Sequence, residues 1–178
     1  MSEAPENSSE YIYRGRVVTL RIDTITKPDG SQVKREVVEH HGAVAIVPKL
    51  DNETIFLIRQ FRQAVGETLL EIPAGTLEPN EDLDVCAARE LEEEIGYKPG
   101  KLRRMFSQYL APGYSSEVLH AYFAEDLTKT ATHFDEDEDI ELVPVRIDQI
   151  ENMILSGEIR DAKSIAALLV ALSITRNE

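Results

Sequence analysis

Apolar and polar residues follow several different periods along this chain, and each change of period marks an element. Strand-like segments come first, at Tyr11–Tyr13 and Arg16–Thr26, both rich in β-branched or aromatic residues. The turn signal Lys27-Pro28-Asp29-Gly30 follows, and Gln32–His40 is expected to pair back as a hairpin. Ala43–Val47 and Thr54–Arg59 are nearly continuous apolar runs, the pattern of buried strands, parted by Asp51-Asn52-Glu53. Leu69–Ile72 reads as a short strand stopped by Pro73-Ala74-Gly75. The period then lengthens. Leu83, Ala87, Leu91 and Ile95 recur every four residues and predict a helix over Glu81–Ile95 with one core-facing stripe. Asn80 is the expected N-cap, Glu81 and Asp82 suit the positive helix end, and Gly96 is the expected stop. Strands return at Lys101–Leu110, Val118–Ala124 and Glu141–Val145, and two helices, Ile147–Leu155 and Ala162–Thr175, are separated near Gly157. This mixed order predicts an α/β fold with helices on both faces of a sheet.

Composition narrows the function classes. A chain of 178 residues with 42% hydrophobic and 29% charged residues can build a real core in one domain. Its net charge of −14 repels polyanions, so neither nucleic acid nor an anionic membrane is an expected partner. An anionic substrate would need a local reversal of sign, from a bound divalent cation or a few arginines. Cys86 is the single cysteine, which excludes an intrachain disulfide and fits a reducing compartment. There is no apolar run of transmembrane length, and Met1–Glu10 is polar, without the apolar core of a signal peptide. A cytoplasmic protein with a disordered tail over residues 1–10 is expected.

The predicted helix at Glu81–Ile95 carries the chemistry. With Glu90 at zero on a helical wheel, Glu94 lies at about +40° and Glu93 at about −60°, so three carboxylates share one sector beside the apolar stripe. A solvated acidic face is the ordinary meaning of such a run. Two physical costs count against it here: like charges at these spacings repel, and they sit near the helix end whose dipole disfavours anions. A hard divalent cation such as Mg²⁺, which takes carboxylate oxygens, would relieve both.

The spacing is specific. Gly75, five residues, Glu81, seven residues, then Arg89-Glu90-Leu91-Glu92-Glu93-Glu94-Ile95-Gly96-Tyr97 resembles the Nudix box, with Tyr97 in the last, usually aliphatic, position the only mild departure. The resemblance implies an α/β/α sandwich with a mixed sheet and hydrolysis of a nucleoside diphosphate linked to another moiety. It implies that Glu90 and Glu94 are metal ligands, Glu93 a ligand or its close partner with a catalytic role, and the Ala74 carbonyl part of the same site. Gly75 and Gly96 are then structural, and Glu81 and Arg89 orient the glutamates through a salt bridge. The implied cofactor is Mg²⁺, with Mn²⁺ or another divalent ion as the alternative.

The branch is suggested by residues outside the box. Pro112 falls fifteen residues after Tyr97, as in the ADP-ribose pyrophosphatase branch of the family. Glu71-Ile72-Pro73-Ala74-Gly75, Arg59-Gln60-Phe61-Arg62, Glu39–Ala45 and Ile159-Arg160-Asp161-Ala162-Lys163 are similar to that branch as well. ADP-ribose, cut to AMP and ribose 5-phosphate, is the implied substrate. A GDP-mannose type sugar nucleotide and a non-catalytic nucleotide sensor are the alternatives, the intact glutamate set counting against the last. Arg62 and Arg35 are candidate diphosphate contacts, since a guanidinium offers phosphate a planar fork of donors. Glu71 either fixes Arg62 or meets substrate itself. Tyr11, Tyr13 or Phe61 would have to serve the purine, there being no tryptophan. The branch also implies a homodimer whose N-terminal strands, residues 11–41, are exchanged and complete the partner's site, residues 42–178 forming the catalytic domain.

The acidic run Asp135–Asp139 fails as a calcium loop, because Ile140 and Arg146 stand where Gly and Glu are required. By the resemblance it carries the general base, Glu138 or, in reserve, Glu136. His40 and His41 are adjacent on a strand, point to opposite sides and are expected to be structural, and Cys86 acts as a small hydrophobe.

Overall fold

The computed structural model describes residues 8–130 and 140–176. The chain divides into two compact units, one formed by residues up to Gly42 with Tyr109–Val118, the other by Ala43–Gln108 with residues from Leu119 onward.

In the first unit β1 (Ser8–Arg14), β2 (Thr19–Thr26) and β3 (Gln32–Glu39) form an antiparallel sheet in that order. The Lys27–Gly30 turn closes the β2–β3 hairpin, with the Gly30 N–H donating to the Lys27 carbonyl at 2.9 Å. The strand expected over Arg16–Thr26 is shorter at its start, because Gly15–Val18 makes the turn from β1, with the Gly15 N–H on the Val18 carbonyl at 2.9 Å. The Tyr109–Val118 segment joins β3 through Val38, whose N–H donates to the Tyr114 carbonyl and whose carbonyl accepts from the Ser116 N–H.

The second unit is built on β4 (Ala43–Pro48), β5 (Thr54–Arg62), β6 (Glu67–Glu71), β7 (Ala74–Thr76), α1 (Leu83–Ile95), β8 (Tyr97–Lys98), β9 (Lys101–Tyr109), β10 (Val118–Glu125), β11 (Thr128–Lys129), β12 (Ile140–Arg146), α2 (Ile150–Leu155) and α3 (Ala162–Thr175). A four-stranded mixed sheet runs β7-β4-β10-β9, with β4 parallel to β10 and antiparallel to β7. A second sheet, β12-β5-β6, is antiparallel.

Both faces of β4 and of the centre of β5 are buried, as their apolar runs predict, and alternate residues serve different helices. Ala43, Ala45, Val47, Ile55 and Leu57 join one core with Leu168, Ala171 and Leu172 of α3. Val44, Ile46, Phe56 and Ile58 join another with Cys86, Ala87, Leu91 and Ile95 of α1. Helix α1 therefore covers one side and α3, joined by Ile150 of α2, the other, and α1 is fixed by its apolar stripe with its glutamates alongside.

Three local expectations are corrected. The α1 cap is Asp82, not Asn80: its carboxylate accepts the N–H of Asp84 and Val85, and Asn80 instead takes a left-handed turn conformation at φ 64°. Pro73-Ala74-Gly75 does not end strand structure, because β7 begins at once and pairs with Ala43–Ala45. The helix expected from Ile147 opens as a single 3-10 turn over Ile147–Gln149 before α2.

Candidate active site

Strand β7 and helix α1 meet where a glycine permits it. A Cβ built on Gly75 would lie 1.9 Å from the Glu90 carboxyl carbon, so only glycine leaves that carboxylate its place. Beside it Glu94, 3% exposed, accepts the Ala74 N–H at 2.9 Å. Gly96 ends the helix in the left-handed conformation, φ 71°, its N–H closing on the Glu92 carbonyl.

Arg89 organises the remaining carboxylates. Its Nε and Nη2 donate to the two oxygens of Glu81 at 2.8 and 2.9 Å, a bidentate pair. Its Nη1 reaches Glu90 at 2.8 Å and Glu93 at 2.9 Å. The Arg89 hydrogen bonds draw the Glu81 carboxyl down to about 2, although burial opposes this. Arg89 itself is held still more firmly protonated, Glu81 again being the first cause. Burial first, and Glu81 next, push the Cys86 thiol up to about 12, so it stays a neutral, packed group.

A second cluster lies at β5, β6 and the start of α3. Arg62 grips the buried Glu71 carboxylate through Nε at 2.9 Å and Nη2 at 2.8 Å. Lys163 also donates to Glu71, and to Asp161 at 2.9 Å. Burial alone would raise the Glu71 carboxyl; the hydrogen bonds of Arg62 and the charge of Lys163 more than reverse this and leave it below its ordinary value. Arg62 is stabilised as a cation chiefly by Glu71, and the charge of Glu94 adds to the effect, which connects the two clusters electrostatically.

Seven of the expected site residues, Ala74, Gly75, Glu81, Arg89, Glu90, Glu93 and Glu94, therefore converge at the β7–α1 junction, and Arg62 and Glu71 form a direct pair. Arg35, Tyr13 and Pro112 belong to the first unit. Arg35 is exposed and lines a groove of about 360 Å³ with Ile22, Lys34, Glu36, Gly113 and Tyr114. Tyr13 is exposed on β1, and Pro112 lies in the turn that the Tyr114 N–H closes on the Ala111 carbonyl. Glu136 and Glu138 lie outside the described residues. His40 accepts the Gly42 N–H on Nδ1 at 3.0 Å, a local structural contact. Lys163, Asp161 and Ser164 were not singled out by role from the sequence. The signal for Asp161 and Lys163 is the stretch Ile159–Lys163, quoted above for likeness alone; Ser164 lies one residue beyond it.

Among the described residues no three His, Cys, Asp or Glu side chains stand close enough together to hold an ion as placed. The donor chemistry nevertheless fits a hard cation. The three helix glutamates and the Ala74 carbonyl are oxygen donors only, the Glu90 carboxylate sits in the space that Gly75 leaves, and Glu94 is buried.

Residues 39–168 match the NUDIX domain family. The chain belongs to the Nudix hydrolase family. It is 37% identical over 163 residues to the ADP-ribose pyrophosphatase of Bacillus subtilis (strain 168), covering 90% of this chain and 88% of that one. It is also 36% identical over 156 residues to the GDP-mannose pyrophosphatase of Escherichia coli O157:H7, with 81% of each covered. A crystal structure of an ADP compounds hydrolase superposes with a TM-score of 0.84 at 23% identity, over 99% of this chain and 98% of that one, a likeness of fold. Among the described residues no helix is long and apolar enough to cross a membrane.

Proposed function

We propose that this chain hydrolyses the diphosphate bond of ADP-ribose, giving AMP and ribose 5-phosphate, with Mg²⁺ or a related divalent cation as cofactor. The observation that carries this reading is the gathering of Glu81, Arg89, Glu90, Glu93 and Glu94 against Ala74 and Gly75. The similarity to an ADP-ribose pyrophosphatase over nine-tenths of the chain supports the choice of substrate.

Glu90 and Glu94, with Glu93 and the Ala74 carbonyl, would hold the cation. When bound, such an ion offsets the negative charge of the diphosphate and makes water a better nucleophile toward it. The chain's own residues do the rest. Glu81 fixes Arg89, and Arg89 sets the carboxylates of Glu90 and Glu93. Arg62, and Arg35 as the second candidate, bind the anionic diphosphate, while Glu71 fixes the Arg62 fork. Glu138, or Glu136 in reserve, takes the proton of the attacking water as its oxygen bonds to phosphorus and the bridging P–O bond breaks. Pro112 and Tyr13 are proposed to contact the nucleoside, with the chain working as a homodimer.

The similarity to a GDP-mannose pyrophosphatase keeps one alternative substrate in view. Incubation with a panel of nucleoside diphosphate compounds and Mg²⁺ or Mn²⁺, read by product identity, tests the assignment. AMP and ribose 5-phosphate from ADP-ribose are expected at the highest kcat/KM. Preferential release of GMP from GDP-mannose would replace the substrate, and binding without product would reduce the chain to a sensor.

A further inference from the structure

Lys163 lies in the first turn of α3 with its side chain 11% exposed, which is unusual for a lysine and calls for a buried partner. It has two. Its Nζ meets Glu71, whose side chain is 1% exposed, and Asp161 at 2.9 Å. Asp161 is also the N-cap of α3, accepting the Ser164 N–H at 3.0 Å. Ser164, fully buried, accepts the Ile72 N–H on Oγ at 2.9 Å. The start of α3 thus grips two consecutive residues, Glu71 and Ile72, just before the Ala74 N–H that holds Glu94.

The charges balance. Arg62 and Lys163 oppose Glu71 and Asp161, two cations against two hydrogen-bonded carboxylates, with the charge of Glu94 acting on Arg62 from the neighbouring cluster. Removing the ammonium would leave one guanidinium facing two carboxylates, one of them buried, and an uncompensated buried charge is costly. The Arg62 fork would be drawn harder onto Glu71, its Nε and Nη2 being already committed there while 35% of the side chain stays open to solvent.

We propose that Lys163 is a positioning residue: by sharing the Glu71 carboxylate, it sets the orientation and free charge of Arg62. The consequence for diphosphate binding rests on the function proposed above; the positioning itself does not. Lys163 is too enclosed to be the phosphate contact, and acts through Glu71.

The test reads both levels on the full chain. The Arg62 Nε–H resonance, assigned by its loss in Arg62→Ala, is followed by ¹⁵N NMR without substrate or metal. KM and kcat for ADP-ribose are measured with Mg²⁺. Lys163→Met is expected to shift and broaden the Arg62 signal and to raise KM about tenfold, the lower end of what losing a partner that orients a metal ligand costs, with a smaller change in kcat. Lys163→Arg is expected to restore both. Lys163→Gln, which keeps a donor without the charge, serves if the Met variant does not fold. An Arg62 signal unmoved in the Met or Gln variant, or a lowered Tm with unchanged KM and kcat, overturns the proposal. A moved signal in a protein that cleaves no ADP-ribose upholds the positioning role and sinks the assigned substrate instead.

Discussion

At the scale of single residues, charge and space can be separated. Glu94 is buried and holds the Ala74 N–H, yet glutamine keeps an acceptor oxygen at the same place. Glu94→Gln should therefore preserve Tm within a few degrees while kcat falls by about 10²-fold or more at saturating Mg²⁺, since only the charge is lost. Near-full kcat would remove Glu94 from the proposed cation set. Gly75→Ala makes the complementary test. The added methyl meets the end of a flexible side chain, so the fold gives way cheaply, but Glu90 must move. A displacement of this size is expected to lower kcat by about 10²-fold with Tm nearly unchanged, measured by steady-state kinetics and thermal melts. The glutamate sector was legible in the sequence because helix geometry alone places i, i+3 and i+4 together. The Lys163–Glu71 pair was not, because its partners lie 92 positions apart and only the tertiary fold brings them together.

At the scale of elements, α1 shows which signals carry over from sequence to structure. Of its apolar stripe, Ala87, Leu91 and Ile95 are buried as the period required and Leu83 packs partly buried against the same core, and Gly96 ends the helix. Its start was misplaced because Asn80 and Asp82 are both good caps, and nothing local shows which of them leaves the turn. Strand β7 went unread because three residues beyond a proline carry no period; its pairing with β4 defines it. The helix entry also fixes a pH dependence. The folded Glu81 carboxyl lies near 2, below its ordinary 4.5, so the Glu81–Arg89 pair stabilises the fold fully above about 4.5. That contribution fades as the pH falls from there through about 2. The Tm difference between the native chain and Glu81→Gln should accordingly be constant from pH 8 to 6 and shrink steadily below 4.5. A difference that grows on acidification would show that the carboxylate is not the stabilised form.

At the scale of the whole molecule, the sequence foresaw an α/β chain with buried strands, and the core of the second unit bears that out. The surface of the first unit raises a separate question. Every residue of β1 is exposed, with Tyr11, Ile12 and Tyr13 between 44% and 59% open, and among the described residues β1 is an edge strand pairing only with β2. An unpaired strand edge that exposes three large apolar or aromatic side chains among polar ones can pair with a second copy, which supports the proposed dimer. Two chains of charge −14 nevertheless repel one another at long range. The two forces respond differently to salt: apolar burial is nearly indifferent to it, whereas the repulsion is screened as the Debye length falls from about 30 Å at 0.01 M to about 8 Å at 0.15 M. Sedimentation equilibrium should therefore give a dimer of about 40 kDa, twice the 20.0 kDa chain, whose dissociation constant falls as salt is raised across that range. Ile12→Glu should weaken it at every salt concentration. A monomer at all concentrations, or a dimer that Ile12→Glu leaves intact, would place any contact between copies away from β1.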